Sequence, residues 1–251
     1  MKLSIVIPAY NEEENITPTV ESLYSKLTSE NIPHEIRVVN DNSKDNTQGI
    51  LDELKTTIPT LVSVLNTPPN NGFGFAVRKG LETYEGDCVA VFMADMSDSP
   101  EDLVKFYRVL ENEDVDCVFG TRFSKGGKTY DYPKTKLILN RFVNFCVRMT
   151  FDRKYNDFTN AFKLYKRETM DGLKPFLSPH FNLTLELPLK AVVRGYSYRV
   201  VPNSWTNRQF GVSNLKIKEM GSRYFFIYLY CLIERFFSKQ DFQKSEEKNK
   251  N

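Results

Sequence analysis

One stretch, CVAVFMADMSDSPE, constrains the fold of this chain more than any other. Its apolar run, residues 88–93, is too short for a helix and shows no alternation, which is typical of a strand buried on both faces of a parallel sheet. Asp95 and Asp98 follow the run, and Ser99 before Pro100 is a helix start signal. Because open α/β sheets bind ligands at the carboxyl ends of their strands, both carboxylates are predicted to lie at a binding edge.

Oxygen atoms fixed in such a strand-to-helix loop suit a hard divalent cation. Magnesium usually takes one or two protein carboxylates and completes its shell with substrate phosphates, so Asp95 and Asp98 are candidate ligands. The same acids also fit a polar loop that only favours the N-terminus of the following helix. The residues alone leave both interpretations open.

Short apolar runs alternate with segments of helical periodicity along the N-terminal half. Strands are predicted at 3–7, 36–39, 61–65, 88–93 and 117–119, with helices between them. This spacing is typical of right-handed βαβ units, and it predicts an α/β fold with a mostly parallel sheet flanked by helices. No repeat or low-complexity linker divides the chain, so we expect one domain over residues 1–212.

The C-terminal part has a different pattern. An aromatic-rich apolar run at 224–237 follows Lys216 and Lys218, which favours an amphipathic helix at 213–238 lying on a membrane surface. The same run fits a helix packed on the domain or in a dimer interface. The polar segment 239–251 is predicted to be disordered.

Composition and charge argue against several classes of protein. The chain has 251 residues and a net charge of only +2, so its positive and negative charges are too evenly matched to attract nucleic acid by bulk electrostatics. The four cysteines lack CxxC spacing and the two histidines lack partner ligands, which does not favour zinc. No apolar run approaches the roughly 20 residues of a membrane span, and no basic and apolar leader is present. We therefore expect a cytoplasmic protein with peripheral membrane contact.

The loops after the first strands are acidic instead of glycine-rich. The turn PAYNEEEN lacks the dinucleotide fingerprint GxGxxG, and the chain contains no P-loop. Acids at Glu12, Asp41 and Asp95 repel bare phosphate, yet they can accept hydrogen bonds from a base and ribose or hold a cation on a diphosphate. This combination predicts a nucleotide-sugar site.

Seven motifs in fixed order resemble family 2 of the glycosyltransferases. They are VIPAYNEEENI, VVNDNSKDNT, NNGFGFAVRKG, MADMSDSPEDL, FGTRF, DFTNAFKLYKRE and RQFGVSNL. The last two are similar to the branch of dolichol-phosphate mannosyltransferase and related prenyl-phosphate glycosyltransferases, and the resemblance covers residues 2–237. It implies a GT-A type fold and inverting transfer of a sugar from a nucleotide-diphosphate sugar to a polyprenyl phosphate, dolichyl or undecaprenyl.

The resemblance also implies a donor pocket. Pro8, Tyr10 and Glu12 would line the base and ribose, with Glu12 as a hydrogen-bond acceptor. Val39 and Asp41 would lie beside the nucleoside.

The same resemblance places the chemistry at the end of the central strand. Ala94 and Asp95 would approach the diphosphate, and Ser97 and Asp98 would complete the shell of Mg²⁺ or Mn²⁺ around Asp95. Two arginines would meet the sugar, the diphosphate or the acceptor phosphate. The implied catalytic group is Asp95, Arg122 and Arg208.

Several positions depart from the family pattern. The first Asp of the usual Asp-Xaa-Asp is Met93, and the first Asp of the pair after the second strand is Asn40. The lysine expected six residues after Arg208 is Asn214, and the usual Arg near the acceptor is Lys163. These changes imply a relative with a different sugar or lipid, and Met93 keeps open a non-catalytic nucleotide-sugar-binding subunit.

The acceptor decides whether a base is needed. A prenyl phosphate is already anionic and requires none, whereas a hydroxyl acceptor, as in surface polysaccharide assembly, needs a base such as Asp157 or Glu186. The hydroxyl acceptor is therefore the alternative. A homo-oligomer or a membrane-subunit partner also stays open.

Overall fold

The computed structural model describes residues 1–208, 217–237 and 244. The strands are β1 Leu3–Ala9, β2 His34–Asn40, β3 Leu61–Leu65, β4 Cys88–Val91, β5 Cys117–Thr121, β6 Lys128–Tyr130, β7 Lys163–Lys166, β8 Tyr198–Pro202 and β9 Ser204–Thr206. The helices are α1 Ile16–Ser29, α2 Thr47–Thr57, α3 Phe73–Gly80, α4 Pro100–Asn112, α5 Lys134–Thr150, α6 Arg167–Gly172, α7 Leu183–Val193 and α8 Ile217–Phe237.

Within the described residues, the central sheet has seven strands in the order β3-β2-β1-β4-β7-β5-β8. Strand β1 runs parallel to β2 and β4, and β5 runs parallel to β8. Strand β7 alone is antiparallel to both of its neighbours, β4 and β5. The prediction of a mostly parallel α/β sheet is confirmed, and the strands β1, β2 and β4 end at one edge.

Apolar residues cover both faces of the sheet. Along β1, Ile5 and Ile7 pack with α1, α2 and α4 on one face, while Val6 packs with α3 and α7 on the other. A strand buried on both sides needs no polar alternation, which explains the continuous apolar runs in the sequence. The two cores fix the sheet edge that carries the acidic loops.

The loop between β4 and α4 has the predicted form. Strand β4 ends at Val91, two residues earlier than expected, and α4 begins at Pro100. The Ser99 hydroxyl accepts a hydrogen bond from the Asp102 amide at 3.4 Å, as an N-cap does. The acids of this loop are therefore held between a buried strand and a capped helix.

Helix α8 packs on the domain and also exposes apolar residues. Ile227 and Cys231 are buried in the core shared with α7, and Arg194 binds the Glu234 carboxylate through Nε at 2.7 Å and Nη2 at 3.0 Å. The predicted bounds 213–238 reach beyond the described residues, and of the predicted tail only Lys244 is described. In the described parts of the chain, no helix is long and apolar enough to cross a bilayer.

We predict that Glu234→Gln loosens α8 from the domain. The substitution removes the Glu234 carboxylate from its buried pair with Arg194, and breaking such a pair costs about 3–5 kcal/mol. Urea unfolding followed by circular dichroism measures the loss. The control is Glu113→Gln in the exposed pair with Arg199, where a change below about 1 kcal/mol is expected. Equal effects in the two variants would contradict the anchoring role.

Candidate functional site

A cavity of about 1040 Å³ opens at the sheet edge where β1, β2 and β4 end. It brings together most of the site residues that the sequence predicts. Those that line it are Pro8, Tyr10, Glu12, Asp41, Asp95, Ser97, Asp98, Arg122 and Arg208.

Two predicted site residues lie outside the cavity lining. Val39 is fully buried in the core, and Ala94 is 2% exposed. The Ala94 carbonyl accepts a hydrogen bond from the Thr19 hydroxyl at 2.9 Å, which ties the acidic loop to α1. The donor contacts assigned to Val39 and Ala94 remain predictions.

Asp41 organises a loop beside the acidic end of the cavity. Its Oδ1 accepts from the Asn66 amide at 2.6 Å and from the Asn71 amide at 3.1 Å, and its Oδ2 accepts from the Gly72 backbone at 2.7 Å. Both carboxylate oxygens are therefore engaged by the segment 66–72. Asp41 shapes the pocket wall through this loop.

Arg208 bridges two acids from different loops. Its Nη2 lies 3.1 Å from Glu12 Oε1 and 2.8 Å from Asp95 Oδ2, and its Nε lies 3.1 Å from Asp95 Oδ2. Asn15 donates to the other Glu12 oxygen at 2.7 Å. Burial raises the pKa of Glu12, although Asn15 and Arg208 oppose this shift. The bridge draws together three of the site residues that the family resemblance implies.

The acids after β4 form a donor set that fits a divalent cation. Asp95, Ser97 and Asp98 are all nearly buried at the cavity. Burial, and then the charge of Asp95, raise the pKa of Asp98 to about 7, so a cation would relieve this pair. Among the described residues, no cluster of three or more His, Cys, Asp or Glu side chains is placed to hold a metal. The protein therefore offers two carboxylates and a hydroxyl, and phosphate oxygens would supply the remaining ligands.

Arg122 is held by a buried carboxylate. Asp157, fully buried, accepts from Arg122 Nε at 2.9 Å, from Nη2 at 2.7 Å and from the backbone amide at 3.0 Å. This side-on fork leaves Nη1 outside the pair, and Arg122 lines the cavity. Burial opposes the charge of Arg122, yet Asp157 raises its pKa and keeps it cationic.

The two carboxylates that could serve as a base for a hydroxyl acceptor are both engaged in ion pairs within the protein. Asp157 is paired with Arg122, as described above. Glu186 is fully buried, accepts from the Leu177 and Ser178 amides at 2.8 and 2.7 Å, and pairs with Lys190 at 2.5 Å. Neither carboxylate is placed to take a proton from an acceptor.

Three further cavity residues were missed by the sequence analysis: Tyr132, Lys136 and Trp205. The Lys136 ammonium lies 5.8 Å from the centres of the Tyr132 and Trp205 rings. Burial, followed by the charge of Arg122, lowers the pKa of Lys136. A lysine at the start of an apolar helix gives only a weak signal in the sequence, because its ring partners come from two separate segments.

A second part of the cavity lining, its apolar half, consists of aliphatic and aromatic side chains. It is formed by Leu139, Phe142, Val143, Cys146, Val147, Phe181, Leu185, Tyr224, Phe225 and Tyr228. Phe142 and Phe225 are also at least 60% exposed, so this half opens onto an apolar surface of α5 and α8. One cavity thus has carboxylates, cations and hydrocarbon side chains in its lining.

The departures from the family pattern have distinct structural roles. Met93 lines the cavity, and its backbone amide donates to Asp98 at 3.3 Å. Asn40 accepts from the Ser43 amide at 2.9 Å and donates to Gln48 at 2.9 Å, which orders the loop after β2. Lys163 is buried and donates to the carbonyls of residues 158 and 160. Asn214 lies outside the described residues.

Comparisons with known proteins agree with this geometry. Residues 4–173 match the family model described as Glycosyl transferase family 2. The chain is 29% identical over 216 residues to the polyprenol monophosphomannose synthase of Mycolicibacterium smegmatis, covering 84% of this chain and 80% of that protein. It is 31% identical over 224 residues to the dolichol-phosphate mannosyltransferase of Pyrococcus furiosus, covering 87% of this chain but 60% of that protein.

Solved structures share the fold at lower identity. Glucosyl-3-phosphoglycerate synthase from Mycobacterium tuberculosis, in complex with Mn²⁺, UDP and glucosyl-3-phosphoglycerate, matches with a TM-score of 0.67 and 19% identity, over 93% of this chain and 79% of that one. Its complex with Mg²⁺ and UDP matches with a TM-score of 0.66, at the same identity and coverage. These neighbours confirm the GT-A type fold. Since the family model covers more than half of the sequence, the chain belongs to glycosyl transferase family 2.

Proposed function

We propose that this enzyme transfers a sugar from a nucleotide-diphosphate sugar to a polyprenyl phosphate, with inversion at the sugar. The observation that carries the proposal is the single cavity that joins an acidic donor end to an apolar half, with Arg122 and Lys136 at the junction. A lipid phosphate has matching parts, an anionic head and a hydrocarbon tail. The names of the two relatives, a polyprenol monophosphomannose synthase and a dolichol-phosphate mannosyltransferase, support the same acceptor class.

The donor fits the acidic end. Pro8, Tyr10 and Glu12 would face the base and ribose, and the loop fixed by Asp41 would close the side of this pocket. The complexes of the structural neighbours with UDP support a nucleoside-diphosphate donor.

Arg208 can serve the donor once a diphosphate arrives. Without ligand its guanidinium is neutralised by Glu12 and Asp95, and phosphate oxygens offer it an equivalent anionic partner. Asp95, Ser97 and Asp98 would hold Mg²⁺ or Mn²⁺, which when bound neutralises charge on the leaving diphosphate. The contacts made by Arg208 to the diphosphate would strengthen as that charge develops.

The acceptor phosphate fits beside Arg122 and Lys136. Arg122 keeps Nη1 outside its pair with Asp157, and Lys136 has no ion-pair partner among the residues that the structure describes. A phosphate oxygen would attack the sugar C1 on the side opposite the diphosphate. The new O–C1 bond forms as the C1–O bond to the diphosphate breaks, and the bonding electrons leave with the diphosphate. Since the acceptor oxygen is already anionic, no base is needed. This agrees with the ion pairs that engage Asp157 and Glu186 within the protein.

The surface around the apolar half fits a bilayer interface. Helix α5 exposes Ile138, Phe142, Phe145 and Met149, and α8 exposes Phe225, Phe226, Ile233, Phe236 and Phe237. The two helices meet where Arg235 donates to the Thr150 carbonyl at 2.6 Å. Basic residues on α5 would complement anionic headgroups. A peripheral contact at the cytoplasmic face therefore delivers the lipid phosphate to the cavity.

The acceptor prediction is tested with radiolabelled donor. A screen of thermal stabilisation by GDP-, UDP- and dTDP-sugars with Mg²⁺ or Mn²⁺ first selects the donor, because a bound ligand raises apparent stability. We then expect label to move into organic solvent with farnesyl phosphate as acceptor, and no label to move with farnesol. Transfer to farnesol or to a free sugar at an equal rate would reject the prenyl-phosphate acceptor in favour of a hydroxyl acceptor.

The second prediction concerns Asp95. Asp95→Asn keeps the side-chain size but removes the carboxylate charge, and we expect transfer to fall roughly a hundredfold or more, with weaker Mn²⁺ binding. Asp52→Asn, at an exposed position on α2, is the matched control and should leave transfer unchanged. Unchanged turnover in Asp95→Asn would reject the role of Asp95. Donor binding without any turnover by the unmodified protein would instead support a non-catalytic subunit.

The third prediction concerns the membrane surface. Phe145→Ser and Ile233→Ser each remove an apolar side chain that is more than half exposed and lies outside the cavity. We expect co-sedimentation with phosphatidylglycerol vesicles to fall roughly tenfold per substitution, since burying such a side chain is worth about 1.5–3 kcal/mol. Leu65→Ser on β3, also exposed, should have no effect. Binding that persists in the double variant would reject this surface.

A further inference from the structure

Lys136 is held in the cavity by rings and not by a carboxylate. Its ammonium lies 5.8 Å from the centres of both the Tyr132 and the Trp205 rings. The two rings pack against each other at 4.8 Å with an interplanar angle of 55°. Within the described residues, no carboxylate lies within ion-pair distance of Lys136. Both rings therefore attract the cation without cancelling its charge.

Trp205 is itself firmly placed. Strand β9 pairs in parallel with β6, with Thr129 opposite Trp205. On one side of Trp205, the Ser204 amide donates to Asp102 at 2.8 Å; on the other, the Thr206 amide donates to the Ser97 carbonyl at 3.1 Å. The backbone on both sides of Trp205 is thus fixed relative to α4 and to the acidic loop after β4.

The alternation of cations and rings continues from Lys136 to Arg122. Arg122 lies 5.7 Å from the Tyr132 ring and 5.2 Å from the Phe123 ring. Tyr132 therefore contacts both cations at the junction of the cavity. Two cations that approach each other directly repel. A ring placed between them attracts both, so the two cations can lie in one small site.

We propose that Tyr132 and Trp205 are positioning residues for the acceptor, which hold Lys136 in the cavity as an unneutralised cation for the lipid phosphate. The proposal rests on the proposed function and adds two residues to it. A carboxylate in the place of either ring would hold the lysine equally well but would compete with the phosphate for its charge. The pKa of Lys136 is lowered first by burial and then by the charge of Arg122, and the opposing effect of Asp95 is smaller.

Steady-state kinetics separate positioning from a structural role. Trp205→Leu and Tyr132→Leu should each raise the KM for farnesyl phosphate roughly tenfold, while the donor KM and kcat stay within about twofold. Trp205→Phe and Tyr132→Phe keep a ring face and should restore most of the acceptor affinity. Tyr130→Leu is the matched control, because Tyr130 lies on β6 but outside the cavity lining.

A double variant tests whether the rings act through Lys136. Lys136→Met should raise the acceptor KM, and adding Trp205→Leu to it should have little further effect, since the partner of the ring is gone. Two results would overturn the proposal: additive effects in the double variant, or equal losses in donor KM and acceptor KM for Trp205→Leu.

A binding measurement separates this proposal from the proposed function. Trp205 is the only tryptophan in the chain, so its fluorescence reports directly on this wall of the cavity. Farnesyl phosphate should change the emission saturably, with a midpoint roughly tenfold higher in Lys136→Met. Binding without sugar transfer would reject the proposed function alone. If the unmodified protein transfers sugar and Lys136→Met binds farnesyl phosphate with an unchanged fluorescence midpoint, the positioning role alone is rejected.

Discussion

The buried fork between Arg122 and Asp157 is the interaction on which the cavity depends. It joins the residue after β5 to the segment before β7, and three hydrogen bonds below 3.1 Å close it. The chain between these two residues contains β6 and α5, so the fork fixes both ends of the segment that carries Tyr132 and Lys136. Because removing one partner of such a pair costs several kcal/mol, the pair holds these two segments together in the absence of ligand. The same pairing removes Asp157 as a base.

Three cations near the junction are held in three different ways. Arg122 has a permanent buried counter-ion in Asp157, Arg208 bridges the donor-site acids Glu12 and Asp95, and Lys136 faces rings. The way each cation is held determines what it can do for a ligand. A permanent pair gives a fixed geometry, a bridge between site acids can be exchanged for a diphosphate, and a cation on rings keeps its charge for an anion.

Much of the donor side could be predicted from the sequence, and most of the acceptor side could not. The apolar runs, the acidic loop ends and the start of α4 at Pro100 are local signals, because neighbours in the chain produce them. Asp157 illustrates the limit: its partner is 35 residues away, and the sequence alone left it as a candidate base. Lys136 was missed for the same reason, since one of its rings follows β6 and the other lies on β9.

Helix α8 shows that packing on the domain and exposing an apolar face are compatible. Ile227 and Cys231 are buried against the domain, and Glu234 reaches the buried Arg194. On the other side of the same helix, Phe226 and Ile233 are exposed. A helix that is apolar on two sides needs two apolar partners. The domain core is the first partner. The second would be a membrane surface, which would lie at the mouth of the cavity between α5 and α8, where a lipid acceptor would enter.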